Sequence, residues 1–117
     1  MATLIKAIHE EEELLNSNIP KVVINKHQQA IYFSRHPIPY LRNADWKSHQ
    51  FYKHIGIYGY RAATLLEITK LRPSSLEIAE SLEQLRWIEN GYAIQIQLTD
   101  IETLAIDSPA DLLKIKL

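Results

Sequence analysis

Hydrophobic and polar positions along the chain form short runs that predict strands separated by helices. Apolar, β-branched or alternating runs bounded by turn residues are typical of strands. They occur at Ala2 to Ile8, Lys21 to Asn25, Ala30 to Ser34, Lys53 to Tyr60 and Tyr92 to Leu98. Four polar residues, 26–29, separate the second run from the third. This spacing predicts a β-hairpin, although the turn lacks the usual Asn-Gly or Asp-Gly pair.

Helices are predicted between these strands. One or two turns are expected within 9–16, and a longer helix over 61–70, which Pro73 ends. Ser74 and Glu77 form a capping box, which predicts one helix from Ser74 to about Asn90, where Gly91 stops it. Ser108 and the following proline open a last helix. Strands alternating with helices favour an α/β or α+β domain.

Composition excludes several classes of protein. The 117 residues, 46% of them apolar and 23% charged, suit one globular domain and exclude wholesale disorder. A net charge of -1 argues against a nucleic-acid partner. The chain has no cysteine, which excludes disulfides and thiolate metal sites, and three glycines are too few for a phosphate-binding loop.

No membrane or export signal is apparent in the sequence. No apolar run approaches the roughly 20 residues of a membrane span. The first 13 residues lack a signal-peptide pattern because an acidic run follows too soon. We therefore expect a cytoplasmic protein with no membrane partner.

One face of the helix predicted from Ser74 is unusually polar. Glu80, Glu83, Gln84 and Trp87 fall at i, i+3, i+4 and i+7. The face is either a solvated surface, as charged helix faces usually are, or a row of groups lining a cleft for a polyhydroxyl ligand.

A second candidate surface lies on the strand predicted over 53–60. Alternation places His54 and Tyr58 on one face with Gly56 between them, which leaves room for a ligand near the backbone. The alternative is a half-buried sheet face with satisfied hydroxyl groups. Arg35, just after a strand, could hold a carboxylate or merely pin its loop.

Asp107 is a candidate metal ligand. It follows a short apolar run and precedes the Ser108 cap, and Mg²⁺ prefers such oxygen ligands. The alternative is a second helix-capping acid. The five histidines show no zinc-binding spacing.

Several stretches together resemble one family. YFSRHPIPY (32–40), KHIGIYGYR (53–61) and SLEIAESLEQLRWIENGY (75–92) are similar to segments of 3-deoxy-manno-octulosonate (Kdo) cytidylyltransferases, the CMP-Kdo synthetases. AIDSPADL (105–112) resembles their closing motif, usually GVDTPEDL. The resemblance covers nearly the whole chain but only the C-terminal part of the family's chain.

The resemblance implies a fold and a reaction. The fold is the C-terminal portion of an α/β nucleotide-diphospho-sugar transferase, Rossmann-like with a mixed sheet. Residues 1–117 would form a single-domain fragment, the sugar-binding and dimerisation half, without the N-terminal nucleotide-binding part. The reaction transfers CMP from CTP to Kdo, giving CMP-Kdo and pyrophosphate for lipopolysaccharide synthesis. Alone, the fragment is expected to be inactive.

The resemblance also implies roles for individual residues, although no catalytic residue is assigned. Substrate-binding roles fall on Arg35, His54, Tyr58, Glu80, Glu83 and Gln84, and Asp107 would be a ligand of the Mg²⁺ cofactor. A homodimer would form through Tyr32, Phe33, Ile38 and Tyr40. Ala105, where the family has glycine, puts the fine geometry around Asp107 in question. The alternatives are a non-enzymatic remnant that binds a sugar acid or itself, and an enzyme for another acidic sugar such as neuraminate.

Overall fold

The computed structural model describes residues 1–100, which form a five-stranded mixed sheet with short helices. The strands are β1 (Ala2–Ala7), β2 (Lys21–Ile24), β3 (Ala30–Ser34), β4 (Tyr52–Gly59) and β5 (Gln95–Leu98). The helices are α1 (Glu11–Leu15), α2 (Ala62–Ile68), α3 (Ser75–Glu80) and α4 (Gln84–Glu89), with a 3-10 turn at Trp46–Ser48. All five predicted strands are confirmed, and β5 begins three residues later than expected. The helix predicted from Ser108 lies outside the described residues.

The sheet confirms the α/β prediction. Its strand order is β3-β2-β4-β1-β5. β1 pairs with β5 in parallel, whereas the β1–β4, β2–β4 and β2–β3 pairs are antiparallel. The parallel pair requires a crossover connection, which the intervening helices provide. β4 is central, so its side chains lie between those of the hairpin and those of β1.

The predicted hairpin between β2 and β3 is present, and a side chain organises its turn. The Asn25 carboxamide oxygen accepts hydrogen bonds from the backbone N–H groups of His27 (2.8 Å) and Gln29 (3.0 Å). Gln28 takes the left-handed conformation, with φ 59°. An Asx turn therefore replaces the missing Asn-Gly signal. The tip of the hairpin reaches β5, where the Ile96 N–H donates to the Gln28 carbonyl at 2.8 Å.

The main core lies between the sheet and α4. Its buried residues are Ile5, Val22, Phe33, Ile68, Leu82, Leu85, Trp87, Ile94 and Ile96. A smaller cluster of Ile8, Leu14 and Phe51 lies under α1. Strands β1, β2, β3 and β5 each contribute a buried residue to this core, and Tyr52 and Tyr58 of β4 pack against it. The core fixes α4 against the centre of the sheet, where the candidate site lies.

The single helix predicted from Ser74 to Asn90 is wrong. α3 ends at Glu80, Ser81 is left-handed (φ 55°), and α4 begins at Gln84. The break has a tertiary cause, because the Arg35 guanidinium binds the Glu80 and Ser81 carbonyls at 2.7 and 2.9 Å. The Glu77 carboxylate of the predicted capping box does accept the Ser74 N–H at 3.1 Å. It also binds Arg86 through two nitrogens and so links α3 to α4.

A fully buried lysine ties the start of β2 to two loops. Lys21 Nζ donates to the backbone carbonyls of Asn16 (2.6 Å) and Arg35 (3.0 Å). Burial, with the Arg35 charge nearby, lowers the pKa of Lys21. The contact fixes the loop that carries Arg35, since a buried ammonium group is stable only with its donors satisfied.

Candidate functional site

His54 occupies the centre of the candidate site, on the inner face of β4. Its Nε2 lies 2.9 Å from the hydroxyl of Thr3 on β1. Its Nδ1 lies 3.5 Å from the carboxamide nitrogen of Gln84 at the start of α4. The structure therefore brings together two of the predicted site residues, His54 and Gln84, from elements 30 residues apart.

The environment of His54 keeps its ring neutral. Phe33 and Tyr58 lie edge-on to the imidazole, with ring centroids at 4.8 and 5.3 Å. Burial lowers the pKa of His54 from 6.5 to about 4, because the charged ring would lose its hydration. A neutral imidazole has one donor and one acceptor, so His54 can offer a single lone pair to a ligand.

Tyr58 is the second predicted site residue beside His54. Its ring lies edge-on to Trp87 at 5.0 Å and stacks on Tyr60 at 5.8 Å. Its hydroxyl is buried and has no hydrogen-bond partner among residues 1–100. Burial, with Tyr60 and Glu83 nearby, raises the pKa of Tyr58, so the hydroxyl stays protonated at neutral pH. Because buried polar groups are nearly always paired, this hydroxyl is a donor that a bound ligand could satisfy.

Gln84 and Glu83 stand at the start of α4 and face different surroundings. Gln84 is 7% exposed and contacts His54, as described above. Glu83 lines a cavity of about 260 Å³ between α2 and α4, together with Tyr60 and Trp87. Its charge contributes to the raised pKa values of Tyr58 and Tyr60, which places the carboxylate near both hydroxyls. His54, Tyr58, Glu83 and Gln84 thus form one group, the β4–α4 site.

Arg35 and Glu80 lie together in a different cluster. The Glu80 carboxylate accepts hydrogen bonds from the Tyr32 hydroxyl (3.1 Å) and the Arg35 backbone N–H (3.0 Å). Burial opposes ionisation of Glu80, but hydrogen bonds from Ser34, Arg35 and Tyr32 outweigh it and lower the pKa.

The Arg35 guanidinium has three backbone partners. It binds the Ser17 carbonyl at 3.1 Å in addition to the carbonyls of Glu80 and Ser81. This geometry favours the loop-pinning interpretation of Arg35. A ligand-binding role for Arg35 or Glu80 stays a prediction.

A second cavity, of about 450 Å³, lies away from the β4–α4 site. Val22, Val23 and Ile24 of β2 line it with Ile38 and Pro39 of the proline segment, residues 36–40. The segment was expected to form a dimer interface, and its Tyr40 is 86% exposed. Phe33, expected at that interface, is instead fully buried in the core, since its side chain lies on the inner face of β3. That prediction is wrong for Phe33.

The metal prediction concerns a part of the chain that the structure does not describe, because Asp107 lies beyond residue 100. Within residues 1–100, no three His, Asp or Glu side chains come together in a group that could hold a metal ion. None of the helices in the same range is both long and apolar enough to span a membrane.

Sequence reasoning missed Thr3 and the second role of Trp87. Thr3 is 3% exposed and holds His54, but a β-branched residue in a strand carries no signal for such a role. Trp87 packs in the core and also forms a wall beside Tyr58 and Tyr60. The sequence places Trp87 on the polar helix face, but only the fold shows which side chains it contacts.

Comparison with known proteins identifies relatives along almost the whole chain. A family model described as cytidylyltransferase matches residues 1–101. A 3-deoxy-manno-octulosonate cytidylyltransferase of Cytophaga hutchinsonii is 57% identical over 120 residues, covering 98% of this chain and 48% of the relative. One of Bacteroides thetaiotaomicron is 56% identical over 119 residues, covering 96% and 48%.

A solved structure agrees with these relatives. A CMP:2-keto-3-deoxy-manno-octonic acid synthetase complexed with CTP superposes with a TM-score of 0.87 at 43% identity. The match covers 97% of this chain and 46% of that one. The chain therefore spans about half the length of the curated relatives and of the solved structure that it matches.

Proposed function

Since the chain belongs to the cytidylyltransferase family, we propose that it carries the sugar-acid site of an enzyme that transfers CMP from CTP to Kdo. The relatives are named for that activity, and the solved relative is a complex with CTP. The described residues contribute hydrogen-bonding groups suited to hydroxyls. The β4–α4 site is therefore assigned to the sugar rather than to the nucleotide.

The chemistry of the β4–α4 site suits a polyhydroxyl ligand. A sugar hydroxyl both donates and accepts, so it needs partners of both kinds. Tyr58 supplies a donor, Glu83 an acceptor, and Gln84 one of each on its carboxamide. The Trp87 and Tyr60 rings supply apolar walls against which the carbon face of a sugar can lie.

One observation carries the proposal: the buried Tyr58 hydroxyl that lacks a partner among residues 1–100. Leaving such a group unpaired costs about 1–3 kcal/mol. A hydroxyl or carboxylate oxygen of a bound sugar acid would accept its proton and remove that cost. The free protein thus holds a donor ready for the ligand.

The rest of the reaction would be supplied outside the described residues. By its resemblance to the family's closing motif, Asp107 is proposed to hold Mg²⁺, which would neutralise phosphate charge during transfer. The resemblance implies that the family's nucleotide-binding part lies outside these 117 residues, so we propose that the chain alone binds Kdo without turnover. We further propose a homodimer through the exposed part of the proline segment, and a cytoplasmic location, where CTP is available.

The proposal is tested by titrating Kdo into the 117-residue chain and following binding by calorimetry. Replacing Tyr58 with Phe removes the hydroxyl but keeps the ring. We expect Tyr58→Phe to weaken Kdo binding about tenfold, the worth of one hydrogen bond, while the free energy of unfolding stays equal or rises by about 1 kcal/mol. Tyr92→Phe is the matched control, since the Tyr92 hydroxyl binds Glu67 outside the β4–α4 site, and it should leave Kdo affinity unchanged.

Three outcomes would each contradict a part of the proposal. Equal Kdo affinity in wild type and Tyr58→Phe would remove Tyr58 from the site. Tighter binding of N-acetylneuraminate than of Kdo would assign the chain to another acidic sugar. Pyrophosphate release with CTP, Kdo and Mg²⁺ above a blank without protein would overturn the expected inactivity of the chain alone.

A further inference from the structure

A threonine hydroxyl lies behind His54 and forms hydrogen bonds in a defined direction. Thr3 Oγ1 is 2.8 Å from the Ile57 carbonyl oxygen, 3.3 Å from that of Ile55 and 2.9 Å from His54 Nε2. A hydroxyl has a single hydrogen, and carbonyl oxygens only accept. The Thr3 hydrogen therefore goes to a carbonyl, the nearer being that of Ile57. The contact with His54 is then a hydrogen bond only if Nε2 donates.

A β-bulge creates this arrangement. In the β1–β4 pair, Thr3 is opposite Tyr58 and Leu4 is opposite Ile55, so Gly56 and Ile57 have no partner on β1. The Ile57 carbonyl, within this bulge, accepts a hydrogen bond from the Thr3 side-chain hydroxyl. Bulges often lie next to functional sites, where they re-aim side chains. Here the bulge lies between His54 and Tyr58 on β4. It presents the Ile57 carbonyl to the Thr3 hydroxyl, and this carbonyl determines the direction of the Thr3 hydrogen bond.

We propose that Thr3 is a positioning residue that fixes His54 in the Nε2–H tautomer, so that Nδ1 faces the ligand as a hydrogen-bond acceptor. The neutral state that this requires agrees with the buried, aromatic surroundings of the ring. Nδ1 lies 3.5 Å from the Gln84 carboxamide nitrogen, at the outer limit of a direct hydrogen bond. A ligand hydroxyl can therefore donate to Nδ1 and accept from Gln84 at the same time.

The consequence is selection for a hydroxyl. In the Nε2–H tautomer, the atom pair of His54 Nδ1 and Gln84 nitrogen offers one acceptor and one donor. A group that only accepts, such as a carboxylate or a methyl ether, leaves Nδ1 without a partner. In the other tautomer the pair would offer two donors and favour a carboxylate. The identity of the ligand as a sugar acid rests on the function proposed above, whereas the tautomer of the free protein does not.

The tautomer can be measured directly on the 117-residue chain. With ¹⁵N-labelled histidine, long-range proton–nitrogen correlation at pH 7 shows which ring nitrogen carries the proton. We expect Nε2–H for His54 in the wild type and in Thr3→Ser, which keeps the hydroxyl. Thr3→Val, which keeps the shape, is expected to shift the population towards Nδ1–H and to weaken Kdo binding about tenfold. Thr64→Val, within α2 and outside the lining of the 260 Å³ cavity, is the control and should change neither.

The outcomes separate this inference from the proposed function. A wild-type ring protonated at Nδ1 overturns the inference whether or not any variant folds. An unchanged Nε2–H signal in a folded Thr3→Val chain also overturns it, because Thr3 would not be the determinant. An Nε2–H ring in a chain that does not bind Kdo leaves the assigned tautomer standing and removes the proposed ligand. Kdo binding by a chain whose His54 is protonated at Nδ1 would support the proposed ligand and overturn the assigned tautomer.

Discussion

Lowering the pH should destabilise this protein through protonation of His54, at pH values above those at which its carboxylates become protonated. The folded state lowers the pKa of His54 from 6.5 to about 4. Between these values the unfolded chain binds a proton at this position that the folded chain does not. Stability contributed by the neutral ring is therefore complete above pH 6.5 and is lost as the pH falls towards 4.

The size of the effect follows from the shift. A difference of about 2.5 pKa units corresponds to about 3 kcal/mol of unfolding free energy at full loss. At pH 5 the unfolded ring is almost fully protonated and the folded ring is still mostly neutral. About 2 kcal/mol should therefore be lost between pH 7.5 and pH 5. Hydrogen bonds lower the pKa values of Glu77 and Glu80, so these carboxylates titrate below this window.

Urea unfolding of the 117-residue chain, followed by fluorescence of the buried Trp87, measures the loss at each pH. His54→Gln removes the titrating group but keeps a side chain that can donate and accept. The variant is expected to be less stable at pH 7.5 and to lose about 2 kcal/mol less than the wild type on going to pH 5. His9→Gln, at an exposed histidine, should follow the wild type. Parallel pH profiles for wild type and His54→Gln would refute the buried, neutral ring.

Two further predictions concern Arg35 and the dimer. Arg35→Met removes three hydrogen bonds to backbone carbonyls, so we expect a stability loss of about 1–2 kcal/mol by urea unfolding, against less than about 0.5 kcal/mol for the exposed Arg42→Met. Equal losses would mean that Arg35 does not pin the α3–α4 break. In sedimentation experiments the chain should be a dimer that Tyr40→Ser dissociates and Leu66→Ser, at an exposed position of α2, does not. A clean wild-type monomer at high micromolar concentration would count against the interface.

The strands could be predicted from the local sequence because each is an apolar run bounded by polar turn residues. Residues 21–24 and 30–34 are short, apolar and bounded by polar turns, and they pair as expected. The turn type between them could not be predicted, because the turn has no glycine. The Asn25 side chain and the left-handed Gln28 stabilise it instead. Several observed strand ends differ from the predicted ones by one to three residues, because the last residue pairs of a strand depend on the hydrogen-bonding partners in the neighbouring strands.

The break at Ser81 could not be read from local sequence. Residues 75–90 contain neither glycine nor proline, and every position tolerates a helix. The interruption comes from Arg35, 45 and 46 positions earlier, whose guanidinium binds the carbonyls at the break. Only the tertiary fold brings these groups together. The contact of Thr3 with His54 was hidden for the same reason, since it depends on the register of a bulged strand pair.

The break at Ser81 also determines what the polar helix residues can do. In an unbroken helix, Glu80 and Gln84 would stand at i and i+4 and point the same way. The left-handed turn separates them, so that Glu80 faces Tyr32 and the Arg35 backbone while Gln84 faces His54. The Arg35 hydrogen bonds that hold the turn therefore set the position from which Gln84 reaches the ring. Arg35 can therefore influence ligand binding through this geometry, in addition to any direct contact that it makes with a ligand.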